Sequence, residues 1–210
     1  MGLPGPVLER LRSLEPKIRP LTPATLVWRV YRSAGAHPCR WNGLRYFGPV
    51  ASRFDHHLEG EGGEPREQQR GVLYAAPDLL TCIAETFQAG RHIDLRADRP
   101  RVVAFYPAES VRLLDLMGRF ATQVGCHQGI HSTPLRRHTR AWARAFYATW
   151  PEVQGLLYRS KMAVDLPAFV LFERAAQALP GEPLADLALT DDRLATALDA
   201  IAGELGYSIG

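Results

Sequence analysis

Few cysteines, no long apolar run and no large excess of either charge distinguish this sequence first. Its three cysteines, Cys39, Cys82 and Cys126, are odd in number and widely spaced. That argues against a disulfide framework and for a reducing compartment. No stretch approaches the ~18 consecutive apolar residues that span a bilayer, so no membrane segment is expected. The opening MGLPGPVLERLRSLEPKIRP has no basic start followed by an apolar run, as a secretory signal would. Pro4 and Gly5 follow Met1-Gly2 without the Ser or Thr of a myristoylation start. The expected location is the cytoplasm. Lys and Arg number 25 against 22 Asp and Glu, a net charge of +3. A nucleic-acid binder carries a larger, more clustered excess, so direct nucleic-acid binding is not expected, whereas an anionic small substrate fits.

Familiar catalytic signatures are missing too. There is no Gly-x-Gly-x-x-Gly, no phosphate-binding loop ending in Gly-Lys-Ser/Thr, no His-Glu-x-x-His and no Cys-x-x-Cys. Gly-x-Ser-x-Gly, the hydrolase elbow, is absent as well. Cys126, His127 and His131 come nearest to a metal set, but Gly129 interrupts the helix that His-x-x-x-His spacing would need. No metal is expected.

What is present reads as an ordinary globular chain, 46% hydrophobic and 22% charged. Its 210 residues suffice for one sizeable core. Val7, Leu8, Leu11 and Leu14 recur at helical spacing before Pro16. Residues 25–31 (TLVWRVY) are rich in β-branched and aromatic side chains and predict a strand. Residues 34–52 predict mostly loop and turn, and the polar, Gly-rich 57–70 an exposed loop. A short strand at 71–75, a helix at 78–89 and strands at 101–106 and 111–114 follow. Residues 134–150 predict a helix with Pro134 in its first turn, and 168–172 a strand. Thr190 is the expected cap of a last helix bearing Leu194, Leu198, Ile201 and Leu205, with Gly206 ending it. Strands and helices interleave without regular βαβ spacing, which favours an α+β fold. We expect a single compact domain, a twisted mixed β-sheet flanked by helices. An N-terminal helix and extension over 1–20 and a C-terminal helix over 179–210 would pack on a body at 21–178.

Several polar residues sit where a purely structural pattern would not put them. Alternation places Arg29 on one strand face with Val27 and Tyr31. An arginine there needs either a carboxylate partner or an anionic ligand. Glu85 in LLTCIAETF lies about 140° around the helix from Leu80, at the edge of the apolar stripe, where a solvated role is the default. Tyr74 could face either side of its strand, and Ser160 in GLLYRSKM reads locally as a turn or capping serine.

The succession LVWRVY, YFGPVASRFDHH, VLYAAPDLLTCIAETF and YRSKM resembles the RES domain, named for its Arg, Glu and Ser. The resemblance covers about residues 25–175 and rests on the order and spacing of these short motifs. It implies an ADP-ribosyltransferase-like fold and a toxin of a bacterial toxin–antitoxin pair. Such a toxin degrades NAD by hydrolysis or phosphorolysis, or ADP-ribosylates a protein. NAD is then substrate, with no further cofactor. Inorganic phosphate is a second candidate substrate and a helix-turn-helix antitoxin the implied partner; a homodimer is left open. Arg29, Arg53, Tyr74, Glu85 and Ser160 occupy the matching positions. Glu85, Arg53 and Tyr74 are then the expected catalytic residues; Arg29, Tyr31, Arg53, Tyr74 and Ser160 would bind NAD. Breaking the nicotinamide–ribose bond passes through an oxocarbenium-like state that a carboxylate stabilises, and neutral nicotinamide leaves without a strong acid. Asp55 stands where the family has an amide, beside Arg53.

A competing reading comes from residues 134–150. Arg136, Arg140 and Arg144 recur four apart with Arg137 adjacent, opposite Leu135, Trp142 and Phe146. Such a face is solvated, or contacts nucleic acid or an acidic partner such as an antitoxin tail.

Overall fold

The computed structural model describes residues 2–126, 128–131, 133, 135–164 and 166–210. Helix α1 (Gly5–Arg12) leads into strands β1 (Ile18–Leu21), β2 (Val27–Arg32), β3 (Arg45–Gly48) and β4 (Arg66–Ala75). Helix α2 (Leu79–Thr86) precedes β5 (His92–Ile93), β6 (Pro100–Phe105) and β7 (Val111–Asp115). Helices α3 (Phe120–Gln123) and α4 (Arg136–Thr149) then lead to β8 (Gly155–Arg159) and β9 (Pro167–Phe172). The chain closes with β10 (Ala185–Ala188), α5 (Asp192–Leu205) and β11 (Ser208–Ile209).

Among the described residues a six-stranded sheet runs β1-β7-β8-β9-β4-β3 and a three-stranded sheet β10-β6-β2. The larger sheet is mixed: β7 and β8 pair in parallel, its other pairs antiparallel. Parallel partners need a long crossover, which α3 and α4 provide.

Strict alternation along the strands sorts the core into layers. Val72, Leu114, Leu156, Val170 and Phe172 face Phe146 and Trp150 of the α4 side. Their neighbours Leu73, Leu113, Leu157, Phe169 and Leu171 face the other way, onto Val27, Val103 and Phe105 of the smaller sheet. Val102 faces outward from that sheet onto Ile83 of α2 and Leu194, Leu198 and Ala202 of α5. The result is helix, sheet, sheet, helix: an α+β domain with a mixed sheet, as the sequence predicts. A Cβ at Gly155 would lie 2.5 Å from the Val170 carbonyl and 2.7 Å from Leu113 Cδ2, so only glycine fits between β7 and β9 there. Gly206 ends α5 in the left-handed region at φ 65°. No helix among the described residues is long and apolar enough to cross a membrane.

Four sequence expectations need correction. The expected loop at 57–70 is partly strand: β4 begins at Arg66, and its polar REQQR half pairs with β3, where only one side is covered. His57 at its start is buried, not exposed, as is His56 just before it. The segment 34–52 contains β3, and GLLYR, assigned no element, is the central strand β8. The cap of α5 is Asp191, whose carboxylate accepts from the Arg193 amide, not Thr190. Pro134 and His127 lie outside the described residues.

Candidate active site

Where β4, β8 and α2 meet α4, a cleft of about 230 Å³ opens, lined by Arg53, Tyr74, Thr81, Glu85, Arg136 and Tyr158 among others. Asp78 caps α2 by accepting from the Thr81 amide at 2.6 Å, which starts the helix at Leu79 and sets Glu85 near its end. The apolar stripe Cys82, Ile83 and Ala84 is buried, so Glu85 emerges at its edge toward the cleft.

Three groups converge on the Glu85 carboxylate, making four contacts. Arg53 Nη2 donates to Oε2 at 3.1 Å and to Oε1 at 3.3 Å. Ser160 Oγ donates to Oε1 at 2.6 Å, and the Lys161 amide does so at 3.0 Å. Ser160 Oγ in turn accepts from the Met162 and Ala163 amides at 3.2 and 3.0 Å, which holds the turn after β8 against α2. Glu85 keeps 20% of its side-chain surface exposed, whereas Arg53 keeps 3%. A buried guanidinium beside a carboxylate open to the cleft makes a pre-ordered anionic group facing a ligand space.

Arg53 is fixed from both ends. Its Nη1 donates to the His131 carbonyl, and its own carbonyl accepts from the Tyr74 hydroxyl at 2.8 Å. The next residue, Phe54, takes φ 56°, an unfavourable conformation for a bulky side chain, with its ring fully buried against Tyr158 at 4.7 Å. This turn aims Arg53 into the cleft and Asp55 away from it. Asp55 accepts from Arg45 Nη2 and from the Val50 amide, both at 2.9 Å, and pairs with the His57 ring. Burial works to raise its pKa, but His57, Arg45 and the Val50 amide together hold it well below the usual carboxylate range. Asp55 therefore orders the loop that carries Arg53 and makes no ion pair with Arg53 itself. Burial pushes the Tyr74 and Tyr158 phenols up, so both present neutral hydroxyls and ring faces.

The structure thus brings Arg53, Tyr74, Glu85 and Ser160 together and leaves Arg29 and Tyr31 apart. On β2 it is Val30, not Arg29, that lines the cleft. Arg29 points into the space between the sheets, where Nη1 donates to the Trp41 and Gly43 carbonyls at 2.7 and 3.0 Å. Its partners are these main-chain oxygens and, through Nη2, the Cys39 sulfur at 3.8 Å, not the carboxylate that its position in the strand suggested as one partner. The Tyr31 hydroxyl donates to Asp186 at 2.7 Å and accepts from Arg101 at 3.0 Å, across the smaller sheet.

Sequence reasoning missed Tyr158 as a wall of the cleft and treated Arg136 only as part of a basic stripe. Arg136 turns into the cleft, and Arg144 lies 3.8 Å from Glu59 and 3.5 Å from the His57 carbonyl. The stripe is therefore divided between different surroundings instead of forming one free basic face. Of the cysteine–histidine trio, Cys126 is buried, and no group of three metal-binding side chains occurs among the described residues.

A family model described as RES domain matches residues 26–194. Among solved structures, the chain is similar to one in the crystal structure of the M. tuberculosis MbcT–MbcA toxin–antitoxin complex. That match has a TM-score of 0.56 and 16% identity and covers 96% of this chain and 97% of that chain, a likeness of fold. No curated protein matches the chain.

Proposed function

The chain belongs to the RES-domain family, and on that premise we propose that it is an NAD-consuming enzyme that breaks the bond between nicotinamide and ribose. The observation that carries this reading is the Glu85 carboxylate, held by Arg53, Ser160 and the Lys161 amide at the wall of an otherwise neutral-to-cationic cleft.

The reaction moves positive charge. The nicotinamide ring of NAD is cationic and leaves neutral, so the charge passes to the ribose as the bond lengthens. A carboxylate beside the sugar stabilises that state more than the ground state, which is the requirement for catalysis. Glu85 takes this role. Arg53 and Ser160 are positioning residues for it, because both act through its carboxylate. The Tyr74 and Tyr158 rings supply flat, neutral walls for the departing ring. Neutral nicotinamide needs no strong acid to leave. Water or inorganic phosphate then attacks the ribose from the open side. The cavity is smaller than the ~300–1,000 Å³ of a typical ligand pocket. It suits the nicotinamide riboside half of NAD, with the adenosine half extending outward.

Further proposals follow from the family: the chain is the toxin of a toxin–antitoxin pair, and its antitoxin covers this cleft. Supporting this are exposed apolar side chains in the segments that adjoin the site. Leu135 precedes Arg136, and Val164 (79% exposed) and Leu166 follow Ser160. Induced expression in a bacterial host tests the proposal in cells. The NAD pool should collapse before growth stops, and co-expression of the antitoxin should prevent both. Growth arrest with an unchanged NAD pool would refute it.

A further inference from the structure

The cleft is lined by two guanidiniums, Arg53 and Arg136, and one carboxylate, Glu85. Glu85 has no capacity left for Arg136. A carboxylate offers about four acceptor positions, and Glu85 already accepts two contacts from Arg53, one from Ser160 and one from the Lys161 amide. Arg136 Nη1 is accordingly buried with no hydrogen-bond partner among the described residues. A buried guanidinium nitrogen without an acceptor is costly, and a second guanidinium nearby adds to that cost. In keeping with this, burial first and repulsion from Arg53 second lower the Arg136 pKa. Arg136 is also the first residue of α4, whose opening turn has no side-chain cap and no acidic residue, so the positive end of the helix adds to the same field.

We propose that Arg136 is a phosphoryl-binding residue, its unpartnered Nη1 donating to a phosphate oxygen of a ligand seated in the cleft beside Glu85. The planar fork and fixed charge of arginine suit that ligand class, and the excess of one positive charge in the cleft is then neutralised. The proposal rests on the NAD reading for its biological ligand. Two sources share the chemistry: the pyrophosphate of the dinucleotide, or inorganic phosphate acting as acceptor.

Titration calorimetry of the full chain with inorganic phosphate and, separately, with pyrophosphate tests the site without requiring any turnover. Arg136→Gln should weaken binding of the preferred anion tenfold or more, as expected for the loss of a charge-assisted hydrogen bond. Arg136→Lys should fall between, because an ammonium keeps the charge but not the fork. Arg137→Gln removes the same charge from the exposed side of the same turn and should change affinity less than twofold. Preference for pyrophosphate or for orthophosphate identifies the source. Turnover gives an independent arm. With a pyrophosphate site, Arg136→Gln raises KM for NAD and leaves nicotinamide riboside, which has no phosphate, unaffected. With an acceptor site, it flattens the dependence of rate on phosphate. Equal anion affinity in wild type and Arg136→Gln, equal losses in Arg136→Gln and Arg137→Gln, or no binding of either anion by wild type would each overturn the proposal. If NAD is not cleaved but the titrations behave as stated, the anion site stands and only the NAD reading falls.

Discussion

Glu85→Gln removes one negative charge and keeps the shape of the side chain, so it isolates the electrostatic role assigned to this carboxylate. In the wild type the carboxylate faces the cleft while accepting from Arg53 at 3.1 Å, Ser160 at 2.6 Å and the Lys161 amide at 3.0 Å. Opposite unit charges ~4 Å apart at an effective dielectric near 20 interact by about 4 kcal/mol. At ~1.36 kcal/mol per decade, losing that attraction in the oxocarbenium-like state costs about a thousandfold in kcat. Folding suffers less. The amide oxygen still accepts from Ser160 and Lys161, and only the buried Arg53 loses its ionic partner. Because Glu85 is partly hydrated, we expect a loss of about 1–3 kcal/mol out of a typical ~5–15 kcal/mol. That corresponds to a Tm lower by roughly 2–12 °C for a chain of this size. Nicotinamide release measured beside a circular-dichroism melt separates the two effects. A folded Glu85→Gln protein within tenfold of the wild-type rate would refute the electrostatic role.

Three further outcomes are expected. Ser160→Ala strands the Met162 and Ala163 amides and loosens Glu85, so kcat should fall roughly ten- to a hundredfold; an unchanged rate removes Ser160 from the site. Arg29→Met leaves the Trp41 and Gly43 carbonyls unpaired and should cost about 2–4 kcal/mol in a denaturant titration. Its KM for NAD should stay within twofold, and a tenfold rise would return Arg29 to ligand binding. The third outcome concerns pH. The His56 ring packs 4.4 Å from Tyr147 and 4.3 Å from Phe172, and burial lowers its pKa. The unfolded chain then takes up the proton first, so stability falls as pH drops through the unfolded value of about 6.5. At lower pH Glu173 adds to the loss: burial pushes its pKa up, but His56, the Gly71 amide and Tyr147 outweigh this and hold it at about 2. Tm should therefore decline between pH 7 and pH 5, and His56→Phe should flatten that decline; an equally steep decline in the variant would show that His56 is not the sensor.

Much of the architecture was legible because nearly continuous runs of β-branched and aromatic side chains mark strands covered on both faces. Residues 101–106, 111–114 and 168–172 read correctly for that reason. The polar half of β4 did not, because REQQR lies where one side is solvated and nothing apolar alternates. GLLYR is too short to separate strand from helix by period alone. At the site, the grouping of Arg53, Tyr74, Glu85 and Ser160 was suggested by the order of family motifs, not by local pattern, since Glu85 alone reads as a solvated helical residue. Arg29 shows the limit of such reasoning. Alternation placed it correctly with Val27 and Tyr31, yet its partners are the carbonyls of residues 41 and 43 and the Cys39 sulfur, brought in by a loop that no strand pattern reveals. Arg136 shows another: spacing of four aligned it with Arg140 and Arg144, but only packing of α4 turns it into the cleft.

The most direct measurement is to incubate the purified chain with NAD, with and without inorganic phosphate, and follow free nicotinamide by proton NMR. Nicotinamide should accumulate, together with ADP-ribose where water is the acceptor or phosphorylated ADP-ribose where phosphate is. A folded protein that releases no nicotinamide under either condition would contradict the assignment of the cleft as an NAD-cleaving site.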